Sequence, residues 1–230
     1  MAGLFPETRW TLVLAARRDP DKRRRALEEV VRPRWKALYV LARKLGLSPS
    51  DAEDAVQGFL ARLIEGDLLE RLDPGKGRLR AYLKSAFRHH LQNVREMQQA
   101  AKRGGGAAPA DLAELETLLQ SPSPSPEVVF DRAWALELFR EALADLEQEF
   151  RSGERSGPFE VLEQLFAFGE TTPYAELAAA HGMSVAQLKA FVHRARLRFR
   201  KLLQARAADT LAQGDGPDDE IKALLKVMAA

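Results

Sequence analysis

Leu, Ala, Arg and Glu recur at three- and four-residue spacing in nearly every segment of this chain, while β-branched and aromatic residues seldom alternate. A period near 3.6 buries one stripe of a helix, whereas a half-buried strand needs a period of two. The predicted fold class is therefore all-α. With 230 residues and 46% hydrophobic content, wholesale disorder is excluded, and there is chain enough for two small helical domains, each with its own core.

Turn and breaker residues set the boundaries. Thr8 can cap a first helix, and Asp19-Pro20 breaks before a second from about 21 to 45, with Pro33 as a kink or restart. Leu38, Leu41 and Leu45 form its apolar stripe, and Gly46 ends it. Ser48 or Ser50 caps the next helix, whose Ala52, Ala55, Val56, Phe59, Leu60 and Leu63 face inward and whose Asp51, Glu53, Asp54 and Gln57 face out. Gly66, Asp73-Pro74-Gly75 and Gly77 make a loop before a helix from about 79 to 101. GGGAAPA and SPSPSP flank a weakly helical stretch in a flexible linker. The expected organisation is an N-terminal extension at 1–24, a first domain at 25–103, a linker at 104–126, a second domain at 127–205 and a C-terminal extension at 206–230.

A formal net charge of +2 says little about partners, but the charge is segregated. Between Lys76 and Arg103 there are eight basic residues against the single acid Glu96, and no acid occurs between Lys189 and Ala208. The second basic run belongs to YAELAAAHGMSVAQLKAFVHRARLRFRKLL at 174–203: a short helix, a turn at Gly182, a cap at Ser184, then a helix carrying Lys189, Arg194, Arg196, Arg198, Arg200 and Lys201. That is the pattern of a helix-turn-helix DNA reader. Leu188, Val192, Ala195 and Phe199 mark its inner face. Residues near the start of the second helix enter the groove, which selects Val185, Gln187, Lys189, Ala190, His193 and Arg194, with Arg196 and Arg198 following. Gln187 suits adenine, and Lys189 or Arg194 suits guanine.

The chain has no cysteine, so disulfides and thiolate metal sites are excluded and an oxidising compartment is not needed. MAGLFPETRW lacks the form of a secretory signal, and no stretch approaches the roughly 18 to 20 apolar residues of a membrane span. A soluble cytoplasmic protein without a metal or other cofactor is expected.

Two all-α domains, each with a basic helix, resemble the bacterial sigma factors of the extracytoplasmic-function class within the sigma-70 family. DAEDAVQGFLARL at 51–63 resembles region 2.2, which docks on the coiled coil of the polymerase beta-prime subunit. GRLRAYLKSAFRHHLQNVRE at 77–96 is similar to the helix of regions 2.3 and 2.4, which melts and reads the minus-ten element, and 174–199 resembles region 4.2, which reads the minus-thirty-five element. FPETRW, GKGRLRAYL, the KRGGG run and the tail resemble a subgroup with extensions at both ends.

The resemblance implies a function in promoter-specific initiation with core RNA polymerase and promoter DNA as partners, and it leaves room for an anti-sigma factor or another regulator. It implies polymerase contacts at Asp51, Glu53, Asp54 and Gln57, although acids at a helix start also favour the helix dipole. Arg78, Arg80, Lys84 and Arg88 would track phosphates, Tyr82 would stack on a base or belong to the core, and the 66–77 loop would hold a flipped base. His89 and Asn93, one turn apart, would read base edges. Three departures stand out: Tyr82 where many relatives have Trp, His89 and Asn93 where they carry Asn and Asp, and Phe191 where many place Arg, which turns that position into a packing residue.

Two rivals remain at this level. In a helix-turn-helix regulator, the N-terminal domain would bind a ligand or a protein, and only the C-terminal domain would touch DNA. A metal-dependent nuclease would use His89-His90, but adjacent residues point apart on a helix and no catalytic motif supports them. For the tail, with Asp215, Asp218, Asp219 and Glu220 before Ile221, Leu224, Leu225 and Met228, the favoured reading is structural docking on the second domain. Masking of the recognition helix is the other.

Overall fold

The computed structural model describes residues 19–65, 68, 78–100, 125–153, 157–166, 172–211 and 216–229. The Thr8 cap, most of the 66–77 loop and the linker stretch 104–124 lie outside the described residues. Every regular element among the described residues is helical.

Helix α1, Pro20–Val30, opens on Asp19, whose carboxylate accepts from the amides of Asp21 and Lys22 at 3.1 and 3.2 Å. Proline at the first helical position loses no bond there, because that amide has no helical partner. Pro33 acts differently, since its missing N–H interrupts an ongoing ladder. The chain tightens into a 3-10 turn, Arg32–Arg34, and restarts as α2, Trp35–Lys44. Helix α3, Pro49–Glu65, is capped by Ser48, whose Oγ accepts the Asp51 amide at 3.2 Å and donates to the Asp51 carboxylate at 2.6 Å. Helix α4 is Leu79–Ala100 and α5 is Pro126–Arg151. Then come α6, Phe159–Phe166, α7, Tyr174–Ala180, α8, Val185–Ala208, and α9, Pro217–Ala229.

These elements divide into two compact units, one drawn from residues 1–137 and 207–230 and the other from 138–206. The division falls inside α5, and the C-terminal segment groups with the first unit.

In the first unit, Leu38 and Leu41 are fully buried, as are Ala52, Phe59 and Leu63 of α3. Leu79, Leu83, Phe87 and Leu91, each four residues from the next, form the buried stripe of α4. Phe59 and Phe87 meet edge to face at 5.1 Å between ring centres, a favoured aromatic geometry. The first part of α5 adds Val129, Phe130 and Trp134 to the buried set, with the Arg34 guanidinium over the Trp134 ring at 5.1 Å.

The tail corrects one expectation. It packs with the first unit, not as a cover on the second domain: Leu224 is buried, Arg132 Nε donates to the Val227 carbonyl at 3.0 Å, and the Leu79 amide donates to the Thr210 carbonyl at 3.0 Å. The physical reason is Glu220, which is fully buried and bound to Arg78 just before α4 and to Arg80 within it. A buried carboxylate needs such partners.

The second unit encloses Leu146, Val161, Leu162, Leu177, Ala178, Leu188, Phe191, Val192 and Ala195 in one cluster. Phe191 packs edge-on against Phe150 at 5.9 Å. Leu188 and Val192 occupy the inner face anticipated for them, and Phe199 stacks at a tilt on Phe139 at 5.9 Å.

Candidate nucleic-acid interface

In the second unit α7 ends at Gly182, with φ of 62°, a left-handed conformation that costs glycine little. The amides of Gly182 and Met183 reach back to the carbonyls of Ala179 and Ala178 at 3.2 and 2.8 Å. The next helix is then opened by a reciprocal capping box: Ser184 Oγ accepts the Gln187 amide at 3.2 Å, and Gln187 Oε1 accepts the Ser184 amide at 2.8 Å. Gln187 is thus engaged in local structure as well as being a candidate base reader.

Val185, Lys189, Ala190, His193, Arg194 and Arg196 are all exposed. Gly182, Met183, Gln187, Ala190 and Arg194 border a shallow hollow of about 290 Å³. Arg198 departs from this face. Its guanidinium clasps both carboxylate oxygens of Glu149 at 2.5 to 3.0 Å and so ties α8 to α5 inside the unit. The charge run alone concealed this, because its acid lies 49 residues away in sequence.

In the first unit the polymerase-facing candidates separate. Asp54 and Gln57 are exposed. Asp51 is half-buried in the Ser48 capping box, and Glu53, expected to face out, is half-buried with Oε1 buried and without a hydrogen-bond partner. Ala61 and Ile64 continue the exposed row of Asp54 and Gln57 along α3, and Ile64 is 44% exposed. Sequence reasoning missed Ile64; the signal was an isoleucine one step off the buried Leu63.

Along α4 the basic residues Arg80, Lys84 and Arg88 form one stripe at four-residue spacing. Each is bound to a carboxylate. Arg80 meets Glu220 at 2.8 Å and Asp131 at 2.7 Å, Lys84 holds both Asp131 oxygens at 2.9 and 3.0 Å, and Arg88 pairs with Glu127. Arg78, just before the helix, meets Glu220 at 2.7 Å. Lys84 also lies 5.4 Å from the centre of the Phe130 ring. Burial works against the Arg80 charge, but the hydrogen bonds and charge of Glu220 and then Asp131 outweigh it and raise its pKa above the usual guanidinium value.

The other α4 candidates point elsewhere. Tyr82 is half-buried and its hydroxyl donates to the Leu68 carbonyl. His89 and Asn93 are exposed, and Arg88 and His89 help line a hollow of about 380 Å³ with Leu45, Ser85, Leu91 and Gln92. His90 is buried against Phe59 and Phe87, with ring centres 5.7 and 6.2 Å away. The two adjacent histidines therefore share no site, as a nuclease would require. Among the described residues no helix is long and apolar enough to cross a membrane.

The family model for Sigma-70 region 2 matches residues 31–100. The match covers 70 of the chain's 230 residues and marks that segment as similar to sigma-70 region 2. The matched segment runs from the end of α1 through α4, so it contains both the exposed row of α3 and the basic stripe of α4. Searches of curated proteins and of solved structures return no match.

Proposed function

We propose that this protein is a sigma factor of the extracytoplasmic-function type, which binds core RNA polymerase and directs initiation at promoters. The observation that carries the reading is the region 2 match over 31–100, which coincides with a helix whose exposed row includes Asp54 and Gln57 and with a basic helix. Asp54 and Gln57 would meet basic residues of the beta-prime coiled coil, with Ile64 extending the contact. His89 and Asn93 would read minus-ten bases while Arg78, Arg80, Lys84 and Arg88 approach phosphates. Such a factor needs no catalytic group: it melts DNA by binding the separated strand better than the duplex.

Minus-thirty-five recognition is assigned to α8. Support comes from the turn between α7 and α8 at Gly182 and from the exposure of Lys189, Ala190, His193 and Arg194. Arg198 is left out of the reading set because Glu149 holds it. The first domain, the second domain and the two extensions keep the roles the resemblance implies, with the protein working in the cytoplasm and an anti-sigma factor or other regulator as a further partner.

A regulator reading is favoured by one observation, the carboxylates already bound to the α4 stripe, which leave α8 as the more open basic helix. Run-off transcription with bacterial core polymerase on a randomised promoter pool separates the two. Initiation from selected sequences supports the sigma factor. DNA binding by the free protein, with neither core binding nor initiation, favours the regulator.

A further inference from the structure

The carboxylates that bind the α4 stripe come from two places distant in sequence. Glu127 and Asp131 stand four residues apart on α5, and they meet a stripe with the same spacing in the opposite direction: Asp131 takes Lys84 and Glu127 takes Arg88. Glu220 in the first turn of α9 takes Arg78 and Arg80. Carboxylate and phosphate oxygens accept the same charge-assisted bonds from lysine and arginine. A nucleic-acid strand and these acids therefore compete for one set of donors.

The side-chain exposure of the acids falls along the stripe, from 38% at Glu127 through 14% at Asp131 to 0% at Glu220. Arg88, at the open end, also borders the hollow beside His89. Displacement can begin there and proceed inward, because each pair lost exposes the next. We propose that Glu127, Asp131 and Glu220 form an internal mask that stands in for nucleic-acid phosphates on α4 and that a single DNA strand displaces. The inference rests on α4 being a strand-binding helix, as in the proposed function, and it moves the regulatory contact of the tail from the recognition helix to the melting helix.

Full-length protein carrying Glu127→Gln and Asp131→Asn should bind a fluorescein-labelled oligothymidylate about tenfold more tightly than wild type at low salt. The slope of log affinity against log salt should steepen by roughly 1.4, since two lysine or arginine side chains become available to a single strand. Asp218→Asn with Asp219→Asn, which removes the same formal charge from exposed positions of α9, should leave both quantities near wild type. Equal affinity and slope in the masked and unmasked proteins, with helical circular dichroism retained, overturns the mask; so does an equal gain in the α9 control.

If the α5 variant does not fold, hydrogen exchange on wild-type protein decides. Saturating oligothymidylate should speed exchange in α9, and unchanged protection there overturns the proposal. Core polymerase binding, measured separately, distinguishes the two failures: binding with an unchanged salt slope removes only the mask, and a steeper slope without core binding removes only the sigma-factor reading.

Discussion

His90 packs against Phe59 and Phe87 with neither ring nitrogen hydrogen-bonded in ordinary geometry. Burial first, and the positive charge of Arg62 second, lower its pKa below the usual histidine value, with only the Ala55 carbonyl pulling the other way. The folded state thus holds the proton more weakly than the unfolded chain. Stability from this site is present above the unfolded value near 6.5 and is lost as pH falls from there through the depressed folded value. Thermal melts between pH 7 and pH 5 should show a falling midpoint for wild type and a flatter profile for His90→Leu. An identical pH dependence in both would assign the effect to other groups. Gly157 offers a second residue-scale case, with φ of 134° and with an added Cβ only 2.3 Å from Phe191 Cε2. Gly157→Ala should cost about 1 to 3 kcal/mol by strain and overpacking. The check is urea unfolding followed by near-ultraviolet signals of the second unit.

At the scale of elements, α3 combines a buried face with an exposed row that nothing among the described contacts of Asp54 explains. Asp54→Lys should leave the melting midpoint within about 1 to 2 °C of wild type, because exposed substitutions usually change stability by less than about 0.5 kcal/mol. It should weaken binding to core polymerase about tenfold or more, since like charges would then face one another. Undiminished capture of core polymerase by the variant sinks the docking assignment. The start of α8 makes a different element-scale point. Ser184 was legible as a cap, but only the reciprocal bonds reveal that Gln187, expected as a base reader, completes that cap. Ser184→Ala should lower stability by about 1 kcal/mol, read as a shift in denaturant midpoint, while Gln187→Ala would disturb the cap and any base contact together.

For the molecule as a whole, the tail and the start of α5 belong energetically to the unit that contains α4. Arg80 is 12% exposed and Glu220 fully buried at side-chain level, and removing one partner of such a pair leaves a charge without its counterion. Glu220→Ala should therefore destabilise the first unit by about 3 kcal/mol, seen as an earlier unfolding transition, while the second unit's transition stays in place. A tail that merely hangs from the chain would give no such shift.

Much of this was present in the chain itself, and the physical reason is local. Helical period, proline and glycine breaks and the cap at Ser184 act within a few residues, so the all-α class, the restart at Pro33 and the turn at Gly182 could be read directly, while the choice between Ser48 and Ser50 as the cap of α3 stayed open. Phe191 was read as a packing residue through the resemblance, as a phenylalanine where many relatives place arginine, and it is buried in the second unit's cluster. Partners of charged side chains are not local. Arg198 stood in one basic run with no visible partner until Glu149 was brought to it, Glu53 looked exposed until its oxygen was buried, and the tail was expected to dock on the second domain. The four-residue spacing of Arg80, Lys84 and Arg88 could have been matched to that of Glu127 and Asp131, but nothing in the sequence sets two distant stripes side by side. Only the tertiary structure decided which of the basic residues face solvent and which are already answered by an acid, because long-range pairing depends on how the buried faces pack.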